Sequence, residues 1–275
     1  MMRTRFAPSP TGYLHLGHAY SAQMCDRIAA QEGGVSLLRF EDIDHTRVRE
    51  EFYAATVEDL AWLGITYSEP PVRQLDRMAL YEQGLQDLIA RGLVYRCFCT
   101  RRDLQQQAID APHGLPDGIY SGHCRRLTDT QVASKLEQGV PYAWRLNVTR
   151  AIAETGPLHF WDNELGAVAV NGQLLGDVVV ARKDISTSYH IAVVMDDAAQ
   201  GITHIVRGAD LRPSTHVHRI LQSLWGYEAP HYIHHRLLCD PDGKRLAKRH
   251  QSLAIRELRT KGATPADVWA MVDRP

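Results

Sequence analysis

His15 and His18 lie three residues apart where an apolar start, Arg5-Phe6-Ala7, passes through Pro8-Ser9-Pro-Thr11-Gly12 into a helical pattern. Residues three apart on a helix are neighbours on one face, so the two imidazoles can converge on one ligand. The first turn of a helix leaves N–H groups unpaired, and a strand–loop–helix unit ending this way suits a phosphate. Gly12 and Gly17 let the backbone approach it. The chemistry expected is hydrogen-bond donation to a polyphosphate whose negative charge grows during reaction. Alone, the pair reads equally well as surface histidines beside a turn.

Two other clusters bear on that choice. Asp242-Gly-Lys244-Arg245-Leu-Ala-Lys248-Arg249-His250 packs four cations into six positions. An isolated cluster of this kind is an ordinary solvated loop. Beside a phosphate site it has a use, because lysine can follow charge onto departing pyrophosphate. The second cluster is Cys97-x-Cys99 with Cys124 downstream. Thiolates are soft ligands, and a structural zinc wants four donors in a tetrahedron. Three cysteines leave one place open, with His113, His123 and Tyr120 nearby. On general grounds histidine is the better ligand, because a phenol must lose a proton of pKa near 10. Free thiols in a small core are the plain alternative. Cys25 and Cys239 read as small buried hydrophobes.

Elements that position these residues alternate as in a parallel α/β sheet. Residues 4–7 read as a strand, 17–30 as a helix and Val35–Phe40 as the next strand. Tyr53, Val57, Leu60 and Ala61 share a helical face closed by Gly64, and Tyr81, Leu85, Leu88 and Ile89 share another closed by Gly92. From about Tyr95 the texture changes. Thr100-Arg-Arg-Asp103 is a capping box opening a polar helix. Strand-like segments follow around 142–148, 167–170 and 177–181, so 96–184 reads as an insertion with its own antiparallel sheet. The α/β pattern resumes at Tyr189–Met195. Val217, Ile220, Leu221 and Leu224 form the stripe of a helix closed by Gly226. The tail holds two helices, one capped by Ser252 and one beginning at Thr264-Pro265.

The 275 residues suffice for one elaborated domain or two small ones. Thirty-one basic residues nearly balance thirty-two acidic ones, so global charge does not announce a nucleic-acid binder, although a local basic face suffices for one. No apolar run of about eighteen residues is present, and the start lacks a signal-peptide core. A cytoplasmic protein without disulfides and without a membrane partner is expected.

Pro8-Ser-Pro-Thr-Gly-Tyr-Leu-His15-Leu-Gly17-His18 resembles the HIGH signature of class I aminoacyl-tRNA synthetases, in the form used by the glutamate-specific branch. Arg245-Leu-Ala-Lys248-Arg249 resembles that branch's KMSKS loop, with Arg for its first Lys and Ala247 for its Ser. Between them, Arg39-Phe-Glu41-Asp-Ile-Asp44, Tyr189-His-Ile-Ala-Val-Val-Met-Asp196-Asp197 and Arg207-Gly-Ala-Asp210-Leu are similar to glutamyl-enzyme segments in the expected order. The resemblance runs from Arg3 to about residue 272. Two departures, a chain that stops about two dozen residues after the KMSKS-like loop and Val193 where tRNA-charging enzymes usually carry Asn, point to the truncated branch that attaches glutamate to queuosine in tRNA(Asp).

That resemblance implies a Rossmann-type parallel-sheet nucleotide-binding core (1–95 and 185–240), a zinc-bearing insertion (96–184), a KMSKS-like loop with a short C-terminal helical tail (241–275), and no anticodon-binding domain. It implies activation of L-glutamate by ATP with Mg²⁺, then transfer to queuosine-bearing tRNA(Asp). His15, His18 and Lys248 are the expected catalytic residues, with Gly17 and Arg245 also facing ATP. Arg5, Phe6, Ala7, Pro8, Ser9, Glu41, Tyr189 and Arg207 are the expected glutamate site. The two arginines offer planar forks for carboxylates, and Glu41 an anion for the ammonium. A structural Arg5–Glu41 ion pair is the plain alternative. For zinc, the pattern Cys-x-Cys…Tyr-x₃-Cys implies Cys97, Cys99, Tyr120 and Cys124, with His123 as the alternative fourth ligand. Arg101, Arg102, Arg125, Arg126, Lys248 and Arg249 are candidate phosphate contacts, or plain solvated surface. Other histidines, His231, His234 and His235 among them, are expected at the surface or in packing. Rival readings are a minimal glutamyl-tRNA synthetase charging the tRNA 3′ end, a non-catalytic tRNA-binding relic, and a small nucleotidyltransferase.

Overall fold

The computed structural model describes residues 1–109, 119–239 and 254–273. Strand β1 (Arg3–Phe6) leads through the Pro/Gly turn into α1 (Leu16–Gln31), which returns to β2 (Val35–Phe40). α2 (Glu50–Trp62) begins with Glu50 and Glu51, acids suited to a helix N-terminus. It ends at Gly64, whose φ of 85° is open to glycine at little cost. Then come β3 (Val72–Arg73), α3 (Met78–Ala90), β4 (Val94–Cys97) and α4 (Arg101–Ile109). The Thr100–Asp103 capping box is present in both directions. Past the undescribed 110–118 lie α5 (Asp129–Glu137), β5 (Ala143–Leu146), α6 (Val148–Thr155), β6 (His159–Asp162), β7 (Gly166–Ala169) and β8 (Val179–Ala181). α7 (Tyr189–Ala199), β9 (His204–Gly208), α8 (Ser214–Leu224) and β10 (His231–His235) complete the α/β part, followed by α9 (Ile255–Thr260) and α10 (Pro265–Val272).

β1, β2 and β3 are parallel, as are β9 and β10. The two groups meet where the Thr203 amide, just before β9, donates to the Arg3 carbonyl at 3.0 Å. The spatial order is therefore β3-β2-β1-β9-β10, and the chain direction of strand addition reverses between β1 and β9. In open parallel sheets the crevice beyond the carboxyl ends at such a point is the ligand site.

Several expectations are corrected. The segment 96–184 does not fold into one antiparallel sheet. β4, β5 and β8 form such a sheet, but the β6–β7 hairpin leaves it and β6 pairs in parallel with β10 of the core. On α2, Val57 and Ala61 face solvent, and Thr56 and Asp59 are buried beside Tyr53 and Leu60. The helix is turned because its inner face also carries polar partners: Asp59 lies 3.8 Å from Arg256 of α9. Cys239 is exposed, while Cys25 is buried as expected. Ser252 lies outside the described residues, and α9 starts from Ala254 without a side-chain cap. Thr264 does cap α10, reciprocally with Asp267. Both tail helices share one core with β1, β2, α1 and α2 through Ile255, Leu258, Val268 and Val272.

α7 is buried over the whole run Ile191–Asp197. Two adjacent carboxylates inside such a helix need cations, since unpaired charge is costly in the interior. Asp197 lies 2.8 Å from both Arg5 Nε and Arg39 Nη2. Asp196 receives Arg77 Nε at 2.6 Å, the Tyr81 hydroxyl at 2.8 Å and Gln74 Nε2 at 2.9 Å. Burial alone would raise the Asp197 carboxyl, but Arg5 and Arg39 outweigh it and hold it below the usual carboxylate value. Replacing Asp197 by Ala strands two buried guanidiniums, and should lower unfolding free energy in urea by about 3–5 kcal/mol. A loss under about 1 kcal/mol would mean that the cluster does not hold β1 and β2 to α7.

Candidate active site

A cavity of about 500 Å³ opens at the carboxyl ends of β1, β9 and β10. Its walls include the expected Arg5, Phe6, Ala7, Pro8 and Ser9 after β1, His15, Gly17 and His18 at α1, Glu41 after β2, and Tyr189 and Arg207. The tertiary fold thus gathers eleven predicted positions from five places in the chain. Arg245 and Lys248 lie outside the described residues. The segment bearing them re-enters the described fold beside the histidines: the Ile255 amide donates to the Leu14 carbonyl at 2.8 Å.

The His-Leu-Gly-His turn is a helix cap built from imidazoles. His15 is the N-cap of α1; its Nδ1 accepts from the Gly17 amide at 3.1 Å, and His18 Nδ1 accepts from the His15 amide at 3.2 Å. An Nδ1 that accepts carries no proton, so each neutral ring has its N–H at Nε2. The ring centroids are 3.8 Å apart. This alters the expected phosphate site. The Gly17 amide is occupied by His15 and does not face the cavity as a bare donor. Gly17 has a steric role too, because a Cβ there would stand 3.0 Å from the His15 ring.

The two arginines differ in what they touch. Arg5 gives Nε and Nη2 to the Asp197 carboxylate, at 2.8 and 3.3 Å, and has Nη1 3.4 Å from the Val206 carbonyl. The structural ion pair of Arg5 is thus with Asp197 rather than Glu41. Arg207 touches only neutral side chains among the described residues: His234, Tyr189, His218 and Thr215. Glu41 is half-buried. Burial pushes its carboxyl up to about 7, Arg39 and Arg5 act against that rise, and Asp197 and Asp196 add to it.

His234 and His235 are not plain surface residues. His234 lies between Arg207 and Asp162, and His235 Nε2 is 3.2 Å from the Ser21 hydroxyl on the cavity wall. His231 is exposed, as expected. Sequence reasoning missed Asp162, Thr215, His218 and His234 around Arg207, and the role of Asp197 beneath Arg5. One signal was legible: two aspartates ending an apolar helical run demand buried partners. Val193 is buried in the core between α3 and α8.

Outside the cavity lining, Cys97, Cys99 and Cys124 bring their Sγ atoms within 4.8 Å of one another. The Tyr120 hydroxyl stands 3.6 Å from Cys99 Sγ and accepts the Cys124 amide at 2.7 Å. Three thiols and an oxygen converging on one point fit a four-coordinate soft metal. His123 is exposed and outside this group, and His113 lies beyond the described residues. Arg125 is engaged by Asp177 at 2.8 Å, while Arg101, Arg102 and Arg126 are exposed.

A family model described as tRNA synthetases class I (E and Q), catalytic domain, matches residues 1–274. The chain belongs to this family. A glutamyl-Q tRNA(Asp) synthetase of Rhodobacter capsulatus is 45% identical over 98% of this chain and 99% of its own length. A glutamate–tRNA ligase of Coprothermobacter proteolyticus is 37% identical over 96% of this chain, which spans 56% of that protein. In structure, a glutamate–tRNA ligase of Elizabethkingia meningosepticum, crystallised with its amino acid, superposes with a TM-score of 0.74 at 30% identity, covering 90% of this chain and 52% of that one. The parallel sheet and its crevice are thus those of a class I synthetase catalytic domain. Among the described residues, no helix is long and apolar enough to cross a membrane.

Proposed function

We propose that this synthetase activates L-glutamate with ATP and transfers it to the queuosine base of tRNA(Asp). One observation carries the activation step: a cavity at the sheet's switch point is lined by the paired imidazoles of His15 and His18 together with Arg207 and Glu41. Likeness to the glutamyl-Q relative over nearly its whole length supports the choice of acceptor.

In this reading an α-carboxylate oxygen of glutamate attacks the α-phosphorus of ATP, and the bond to pyrophosphate breaks. His15 and His18 donate Nε2–H to the triphosphate, with Gly17 beneath them. Lys248 and Arg245 follow the leaving group, and Mg²⁺ accompanies ATP. Arg207 and Arg5 receive carboxylates, Glu41 receives the ammonium, and Tyr189, Ser9 and the backbone of Phe6–Pro8 orient the ligand. A hydroxyl of the queuosine diol then takes the glutamyl group and AMP departs. Catalysis is positioning and charge stabilisation. We read 1–95 and 185–240 as the catalytic core, 96–184 as an insertion, and 241–275 as loop and tail. Cys97, Cys99, Tyr120 and Cys124 would hold one zinc, which would pin the insertion as a structural centre.

The acceptor is decided by labelling. With ATP and labelled glutamate, tRNA(Asp) carrying queuosine should take label, and nuclease digestion should place it at the wobble nucleotide. Label on the 3′ adenosine would favour a minimal glutamyl-tRNA synthetase, and no activation would favour a relic. Arg207→Ala should abolish glutamate-dependent pyrophosphate exchange.

Glutamate binding should also depend on pH. Pairing with an ammonium needs ionised Glu41, so affinity is full above about pH 7 and falls toward tenfold per unit below it. The Michaelis constant for glutamate between about pH 5.5 and 8.5 should show this bend, and Glu41→Gln should remove it at weaker affinity. A profile unchanged by Glu41→Gln would assign the ammonium elsewhere.

Metal analysis of the purified chain should find about one zinc. Cys97→Ser should lose it and lower the melting temperature; a zinc-free protein of undiminished stability would leave three free thiols.

A further inference from the structure

Arg207 is almost fully buried, and every side chain it meets among the described residues is neutral. Its Nε donates to His234 Nε2 at 3.3 Å, Nη1 lies 3.1 Å from His218 Nδ1, and Nη2 donates to Thr215 Oγ1 at 2.7 Å. The arginine has only donors, so the nitrogens facing it must present lone pairs. His234 Nε2, which also stands 3.3 Å from the Thr215 hydroxyl, is therefore unprotonated, and the proton sits on Nδ1, 2.6 Å from Asp162 Oδ2. By the same logic His218 carries its proton on Nε2 and donates to His190 Nδ1 at 3.1 Å.

Asp162 is the nearest acid in this chain of contacts, and its charge is used elsewhere. It accepts the amides of Glu164 and Leu165 and lies 3.5 Å from Arg212 Nε. The His234 ring stands between it and Arg207. Arg5, across the same cavity, has a carboxylate directly against it.

We infer that the Asp162–His234 and His190–His218 pairs are positioning residues that hold Arg207 through lone pairs alone and so reserve its positive charge for a carboxylate of the ligand. The geometry fixes the fork without neutralising it. A ligand that lacks the carboxylate facing Arg207 leaves a buried cation without a counter-charge, and binds less well. Burial and the nearby Arg207 charge push the His190 and His234 imidazoles down to about 4, in His234 against the pull of Asp162, which keeps both neutral. The inference deepens the proposed function and rests on Arg207 receiving a glutamate carboxylate.

Two measurements test it. Nitrogen-detected NMR of the imidazoles in the intact protein at neutral pH should show His234 as the Nδ1–H tautomer and His218 as the Nε2–H tautomer. A doubly protonated ring or the opposite tautomer at either position overturns the inference. Glutamate-dependent pyrophosphate exchange is the second. Thr215→Asp places a permanent carboxylate on Arg207 and should raise the Michaelis constant for glutamate about 100-fold. Thr215→Val should change it only a few-fold, and both should leave the constant for ATP unaltered.

If Thr215→Asp does not fold, Asp162→Asn takes its place. It should raise the glutamate constant about tenfold and leave the constant for ATP unaltered. His234→Gln, which keeps an acceptor near the Nε2 position, should perform better than His234→Ala. Glutamate constants within threefold of wild type in Thr215→Asp or its replacement Asp162→Asn, or equal losses for glutamate and ATP, overturn the inference. Absence of glutamate-dependent exchange in the wild type would instead sink the glutamate reading, and the tautomers would still decide the arrangement around Arg207.

Discussion

Asp197 sits between two buried guanidiniums, and the site is organised around that contact. It comes from α7, and the cations come from β1 and β2. Because the group is almost fully buried, separating any one partner leaves charge in the interior. The carboxylate therefore clamps the strands to the helix across the place where the sheet reverses its order. It also settles the state of Arg5, which lines the cavity with much of its fork already committed.

Two buried arginines in one cavity are thus treated in opposite ways. Arg5 is paired within the protein. Arg207 is held in place by imidazoles, a phenol and a hydroxyl, none of which carries charge. The cavity thus holds one cation paired with a carboxylate and another held by neutral partners. Asp162 supports the second from the β6–β7 hairpin, so pairing of that hairpin with β10 links the insertion segment to the catalytic crevice.

The start of α1 is held by imidazoles: His15 Nδ1 accepts the Gly17 amide and His18 Nδ1 accepts the His15 amide. A side chain at Gly17 would crowd the capping ring.

The sequence by itself determined whatever depends on neighbours within about a turn of chain. The capping box at Thr100 and the helix start at Thr264-Pro265 were legible, as were the apolar stripe of α8, the Cys-x-Cys spacing and the order of the motifs. Those features rest on local geometry, which repeats every few residues. The α2 face was misjudged because apolar period alone does not report buried polar partners such as Asp59. Only the tertiary structure decided that Arg5 belongs to Asp197, 192 residues away, and that His234 joins Arg207 to Asp162. Charge in a low-dielectric interior is governed by what lies within a few ångströms in space, and chain order does not state that distance.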